Sequence, residues 1–193
     1  MNIDITLRVS PKMVADAKGY EKMVFTGHLG THFDVMNKVF PLEYIERDGI
    51  VFDVSACGQG EIGVADIDLS LVHENMFVAL YSSFIEEVGY GGQLYFTAHP
   101  YLSMELIDTL ISKRVSIIGV DFAGIRRGAE HPKADQSCAD HDVFVVENLC
   151  NLSSLLKGRP YERFLAKTYP MNFSDMTGLP CRVIAEIPHL AMA

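Results

Sequence analysis

The sequence predicts one α/β domain spanning residues 1–193, and three observations support that prediction. A chain of 193 residues can bury one substantial core and little more. Apolar residues make up 49% and charged residues 21%, a globular rather than a disordered composition. Residues 76–121 run strand–helix–strand, an order that calls for parallel pairing.

In order along the chain, "DITLRV" (4–9) alternates as a strand does. "SPKMVADAKGYE" (10–21) reads as loop with a helical turn, and "KMVF" (22–25) as a strand leading into a histidine cluster. "VFPLEYIERDG" (39–49) carries helical spacing with Gly49 as its stop, and "IVFDVS" (50–55) is a strand. "DIDLSLV" (66–72) is a helix or turn entry. The nearly continuous apolar run "MFVALYSS" (76–83) is a buried strand. "GYGGQLYFTAHP" (89–100) opens as loop. "LSMELIDTLISKR" (102–114) has apolar residues at 102, 106, 110 and at 104, 107, 111, a helical pattern with Ser103 as its cap. "VSIIGVD" (115–121), "VFVVE" (143–147) and "CRVIAEIP" (181–188) are strands, and "NLSSLLKG" (151–158) is a short helix closed by Gly158.

The formal charge of −9, with no basic run denser than "IRR" (125–127), argues against nucleic-acid binding. No apolar run reaches the length of a membrane span, and the alternating N-terminus does not read as a signal peptide. Cys57, Cys138, Cys150 and Cys181 form no CxxC pair and no disulfide framework. A cytoplasmic protein is expected.

The chemistry concentrates in "GHLGTHFD" (27–34). On a continuous strand His28 and His32 would stand about 13 Å apart. On a continuous helix they would meet while Asp34 pointed elsewhere. A bend at Gly30 reconciles them, because glycine tolerates positive φ, and beyond it His32 and Asp34 share a face of extended chain. Imidazole and carboxylate suit zinc, manganese or iron. Taken alone, the spacing also fits a chance cluster in a loop.

These residues resemble the signature His-x-Gly-Thr-His-x-Asp-x-Pro-x-His of the cyclase / kynurenine formamidase-like family of metal-dependent hydrolases. His28, Gly30, Thr31, His32 and Asp34 match, while Met36 and Lys38 stand at the proline and final histidine positions. "DITLRV", "HPYLS" (99–103), "IGVD" (118–121), "VFVVENLCNLSSL" (143–155) and "GLPCRVIA" (178–185) resemble further family segments in the same order. The resemblance implies an α/β fold of the swivelling β/β/α type with a mixed sheet core and helices on one side. It implies that His28, His32, Asp34 and Glu147 are metal ligands, with Asp34 and Glu147 bridging where two metals bind. A further family ligand, a histidine about twelve residues before the glutamate, falls on Asp135, flanked by His131 and His141.

The family's proton-transfer histidine falls on Lys38. A lysine becomes a base only with a strongly depressed pKa. Otherwise it would neutralise Asp34 or stabilise an oxyanion, or simply face solvent. A cation beside Asp34 would disfavour a second ion, so at most one metal per chain is expected, zinc or alternatively manganese. Glu147, alone, reads either as a strand-end surface residue or as a ligand. Its parity with Val143 and Val145 turns a carboxylate toward the core, where it needs a partner. Asp121 would orient a ligand or cap a loop. Arg126 or Arg127 would meet an anionic substrate, or the two would form a charged loop face or a subunit contact. Cys138 suits packing better than ligation, and His99 reads as a helix-entry residue. "GYGG" (89–92) lacks a P-loop lysine and serine. Phe84, Tyr90, Tyr95 and Phe96 would line an active-site rim or a subunit contact.

The resemblance implies hydrolysis of an amide, formamide or cyclic amide of a small molecule, with Asp34, Glu147 and Lys38 in catalytic roles. The competing expectation is a non-enzymatic small-molecule-binding protein on the same scaffold, motivated by the lost histidine. A homo-oligomer, dimer or tetramer, is expected, with neither nucleic acid nor membrane as a partner.

Overall fold

The apolar runs pair into one strongly curved mixed sheet. A computed structural model describes residues 1–18 and 21–187, with Glu21 described by its backbone alone. The strands are β1 (Asn2–Asp4), β2 (His32–Asp34), β3 (Glu46–Asp53), β4 (Glu61–Ile62), β5 (Phe77–Tyr81), β6 (Tyr101–Leu102), β7 (Ile117–Val120), β8 (Phe144–Glu147), β9 (Tyr161–Pro170) and β10 (Gly178–Glu186). The α-helices are α1 (Pro11–Asp16), α2 (Glu21–Phe25), α3 (Phe84–Val88), α4 (Gln93–Thr97), α5 (Met104–Ser112), α6 (His131–Asp140) and α7 (Ser153–Leu156).

The strand order is β1-β10-β2-β8-β7-β5-β3-β9, and β9 pairs back onto β10, so the sheet closes into a barrel. Within this sheet the run β3-β5-β7-β8 is parallel and the remaining pairs are antiparallel, while β4 and β6 form a separate parallel pair. Alternation then sorts the side chains. Phe33, Val51, Phe77, Ile117, Phe144, Val146, Phe164 and Val183 fill the barrel. Ile50, Val78, Leu80, Ile118, Val120 and Val145 face the other way and pack against Leu106, Ile107 and Leu110 of α5 and Ala134 and Cys138 of α6. Cys138 is wholly buried in that layer, as packing requires.

Several elements differ from expectation. "KMVF" belongs to α2, because the carbonyls of Lys22 and Met23 accept from Thr26 and His28 instead of joining a sheet. The segment 39–49 is not helical beyond a single 3-10 turn (Leu42–Ile45), and β3 begins at Glu46 because Glu46–Phe52 pairs with β9. Gly49 therefore ends nothing. It lies within β3 opposite Phe164, whose ring stands 2.7 Å from where a Cβ would be. "DITLRV" is a strand only through Asp4, after which Leu7 N donates to Thr31 Oγ1. Residues 19 and 20, Pro188 of the last expected strand and His189 lie outside the described residues. As expected, Ser103 caps α5 by accepting from Leu106 N at 3.0 Å. Among the described residues no helix is long and apolar enough to cross a membrane.

Candidate metal centre

Three separate chain segments bring six donors together. The first is the histidine loop. Gly30 adopts φ +74°, the bend that lets His28 and His32 face one point. Beyond it β2 is extended, and His32 and Asp34 share the face opposite Phe33. The second segment is β8. Its antiparallel register places Glu147 directly across from His32. The third is α6, whose first turn presents His131 and, one turn on, Asp135.

The separations are short. His28 Nε2 lies 3.2 Å and His32 Nε2 lies 3.6 Å from Asp34 Oδ1. His32 Nε2 is also 3.6 Å from Glu147 Oε2. His131 Nε2 is 2.9 Å from Glu147 Oε1 and 3.0 Å from Asp135 Oδ2. Two groups of donors emerge, His28–His32–Asp34 and Asp34–His131–Asp135–Glu147, each with its ligand atoms within 4.8 Å of one another. Asp34 is common to both.

Neighbouring groups set the tautomers. His32 Nδ1–H donates to Gly30 O at 2.9 Å, which leaves Nε2 toward the carboxylates. Thr26 Oγ1 gives its own proton to Lys22 O at 2.8 Å, so His28 Nδ1–H donates to that hydroxyl at 2.9 Å. Both rings therefore present Nε2 to the same point. Gly30 is itself held: its N–H donates to Tyr90 Oη and its carbonyl accepts from Asn148 Nδ2, both at 2.9 Å. Tyr95 OH donates to Asn148 Oδ1 at 2.6 Å, and Thr31 Oγ1 donates to Asn148 O at 2.7 Å.

Three carboxylates in one buried place are costly without compensating charge. Asp34, Asp135 and Glu147 are 4%, 3% and 4% exposed. Burial opposes charge on His32, yet Asp34 and then Glu147 raise its pKa to about 9. Burial likewise opposes charge on His131, but Glu147 and Asp135 push it up to about 12. Asp135 rises to about 7 through burial, with the Asp34 carboxylate adding to it against the hydrogen bond from His131. Burial also acts to raise Asp34, but His32 and His28 hold it well below the usual carboxylate range. His32 Nε2, Asp34 Oδ2 and Asp135 Oδ1 are buried with no hydrogen-bond partner. Donors about 2.1 Å from one tetrahedral ion stand about 3.4 Å apart. The unpartnered atoms, spacing and donor types fit a divalent metal.

The placement of Lys38 corrects the sequence expectation. Its ammonium pairs with Asp140 Oδ1 at 2.8 Å, and among the described residues it makes no ion pair with Asp34 or Glu147. The cause lies at residue 36. Met36 takes φ +55°, a conformation closed to the proline of the signature, whose ring holds φ near −65°. That turn leads residues 37 and 38 onto α6, where Asn37 Oδ1 also accepts from Gln136 Nε2 at 2.9 Å. The Lys38 ammonium therefore does not stand beside Asp34 to repel a second ion. Lys38→Met is expected to leave metal content unchanged and turnover within about fivefold, the rate equivalent of the ~0–1 kcal/mol that an exposed ion pair contributes, since the ammonium is engaged with Asp140. Elemental analysis and steady-state rates check this, and a tenfold loss of turnover would contradict it.

Other candidates resolve locally. His131 joins the site beside Asp135, whereas His141 Nδ1 turns back to Ser137 O at 2.8 Å. Asp121 accepts from Ser82 N and Oγ at 3.0 and 2.6 Å, and burial raises its carboxyl to about 7. Arg127 donates to the carbonyls of His99 and Gln59, and Arg126 pairs with Glu130 and Glu61, so both brace loops. Buried His99 stacks on Phe122 with Nδ1–H on Pro100 O at 2.7 Å. Tyr90, Tyr95, Phe96 and Phe84 form one aromatic group. Sequence reading left out the supporting roles of Tyr90 and Tyr95. The signal available for Tyr90 was its place between Gly89 and Gly91, which both take positive φ in its loop.

The family model described as "Putative cyclase" matches residues 3–126. No curated protein matches the chain. Among solved structures, a "potential metal-dependent hydrolase with cyclase activity" is 20% identical with a TM-score of 0.73, covering 97% of this chain and 99% of its own. A "predicted metal-dependent hydrolase from Bacillus stearothermophilus" is 19% identical, also at 0.73, covering 96% and 97%. Isatin hydrolase A from Labrenzia aggregata is 19% identical with a TM-score of 0.66, covering 81% and 72%. At these identities the structures establish the fold, a mixed α/β barrel of the cyclase type.

Proposed function

The chain belongs to the "Putative cyclase" family, and from that premise we propose that it is a metal-dependent hydrolase acting on an amide, formamide or cyclic amide of a small molecule. The observation that carries the reading is the convergence of two Nδ1-anchored imidazoles on an Asp34 carboxylate shared with a second, acidic group of donors. The names of the similar structures, metal-dependent hydrolases and an isatin hydrolase, support it.

A bound divalent ion, zinc or manganese, would polarise the scissile carbonyl and acidify water. The chain's residues supply the rest. His28 and His32 would bind the ion through Nε2, and the Gly30 carbonyl holds the His32 ring in the tautomer that frees that nitrogen. Asp34 joins the two donor groups, and Glu147 and Asp135 complete the acidic one. The proton-transfer position of the signature carries Lys38, whose ammonium pairs with Asp140.

That same ion pair favours a second reading, a binding protein that has kept the metal centre and lost turnover. Chelator-stripped protein reloaded with zinc or manganese and offered isatin, formanilide and a cyclic imide separates the two. Hydrolysis of one of them, lost with chelator and restored with metal, is the expected result. Metal-dependent binding without turnover across all three would favour the second reading, and neither binding nor turnover would count against both.

A further inference from the structure

The two donor groups have different chemistry. His28, His32 and Asp34 offer two imidazole nitrogens and one carboxylate. Asp34, His131, Asp135 and Glu147 offer three carboxylates and one imidazole. We propose that the halves select different cations: the imidazole-rich position takes zinc, and the carboxylate-rich position takes manganese(II). This rests on the metal-centre reading above and extends it from a metal to an ordered pair.

Three observations support the assignment. Nitrogen donors suit borderline zinc, whereas carboxylate oxygens suit harder ions such as manganese and magnesium. Both halves carry an unpartnered buried atom, His32 Nε2 in the first and Asp135 Oδ1 in the second, so each has a ligand atom left over. Charge supplies the third. The three carboxylates carry about −3 when ionised, so one dication leaves a buried negative charge, and two dications leave a single positive charge that a hydroxide can balance. The second half is also the tighter one, with His131 Nε2 at 2.9 and 3.0 Å from its two carboxylates. Those are ordinary hydrogen-bond lengths too, so donor type rather than spacing carries the inference.

Asp135 is the residue that separates the halves. Replacing it with histidine gives the second position two nitrogens and two carboxylates and should erase much of the difference. Asp135→Glu keeps the oxygen donor and serves as the conservative variant. Circular dichroism and thermal melts of each variant establish that it is folded.

The test loads chelator-stripped protein with one equivalent of zinc and excess manganese(II), removes free ions by gel filtration, and reads metal per chain by elemental analysis. The paramagnetic resonance of manganese reports its environment. The parent is expected to retain one zinc and one manganese per chain. Asp135→His should weaken manganese retention by about 10-fold or more, the scale on which even supporting residues alter metal affinity, and take a second zinc when zinc is raised. Asp135→Glu should keep most of the manganese. A parent that binds two zinc ions with indistinguishable affinity and excludes manganese would overturn the inference, as would a folded Asp135→His protein with unchanged manganese retention. One zinc and one manganese without hydrolysis of any substrate would leave the inference standing and remove the hydrolase reading. Absence of bound metal would overturn both.

Discussion

Replacing Asp34 with asparagine is expected to lower metal affinity in both halves of the centre at once. Asp34 is the one residue common to both donor groups, and its Oδ1 faces His28 and His32 at 3.2 and 3.6 Å. The amide keeps the volume but replaces an anionic acceptor with a neutral group. Retained metal and any metal-dependent turnover should fall by at least about 10²-fold, the upper end of what even a supporting partner costs. His28→Asn should by contrast empty only the imidazole-rich half, because His28 belongs to one group. Asp34→Asn protein with parental metal content would show that the two halves do not share this carboxylate. Asp34 also bears on stability. Its carboxyl is held far below its unfolded value, so ionised Asp34 stabilises the metal-free fold above about pH 3.8, and that contribution is lost as pH falls.

Metal loading is expected to expel protons, with a number that depends on pH. In the metal-free protein His32 titrates near 9 and His131 near 12, so both imidazoles hold an extra proton at pH 8. A coordinated imidazole gives up the proton on its ligating nitrogen. Two protons should therefore leave these rings at pH 8, and at pH 6 Asp135, which titrates near 7, adds another. Calorimetry in buffers of different ionisation enthalpy measures the release. Equal release at both pH values would contradict the placement of Asp135. The same shifts give the metal-free fold a pH dependence. Asp135 is raised above its unfolded value, so its contribution is full below about pH 4 and is lost as pH climbs to about 7. His131 contributes fully below about pH 6.5 and loses that contribution through about pH 12. Bound metal replaces those protons while the unfolded imidazoles still take them up below about pH 6.5, so the loaded protein should gain stability from pH 6 to pH 8 while the metal-free protein weakens.

The local sequence determined much of the centre. "GHLGTHFD" contains the bend, both imidazoles and the carboxylate, because Gly30 and the period of two act within a few residues of one another. The parity of "VFVVE" directed Glu147 to the face shared with Val145, and the apolar runs of β5, β7 and β8 announced buried parallel strands. A capped amphipathic pattern was enough for α5.

Tertiary structure decided what needed distant partners. β9 and the early start of β3 form because each strand supplies the other's hydrogen bonds across more than a hundred residues, an arrangement no local periodicity reports. Helix α6 has a buried stripe of little beyond Ala134 and Cys138, so its polar sequence concealed it. His131 and Asp135 reach the cluster of donors only because that helix packs on the sheet beside β8. Sequence spacing placed Lys38 four residues beyond Asp34 and suggested a shared site. The positive φ at Met36 and the acceptor at Asp140 sent it elsewhere, since backbone direction after a turn depends on a dihedral that the residue type permits but does not dictate.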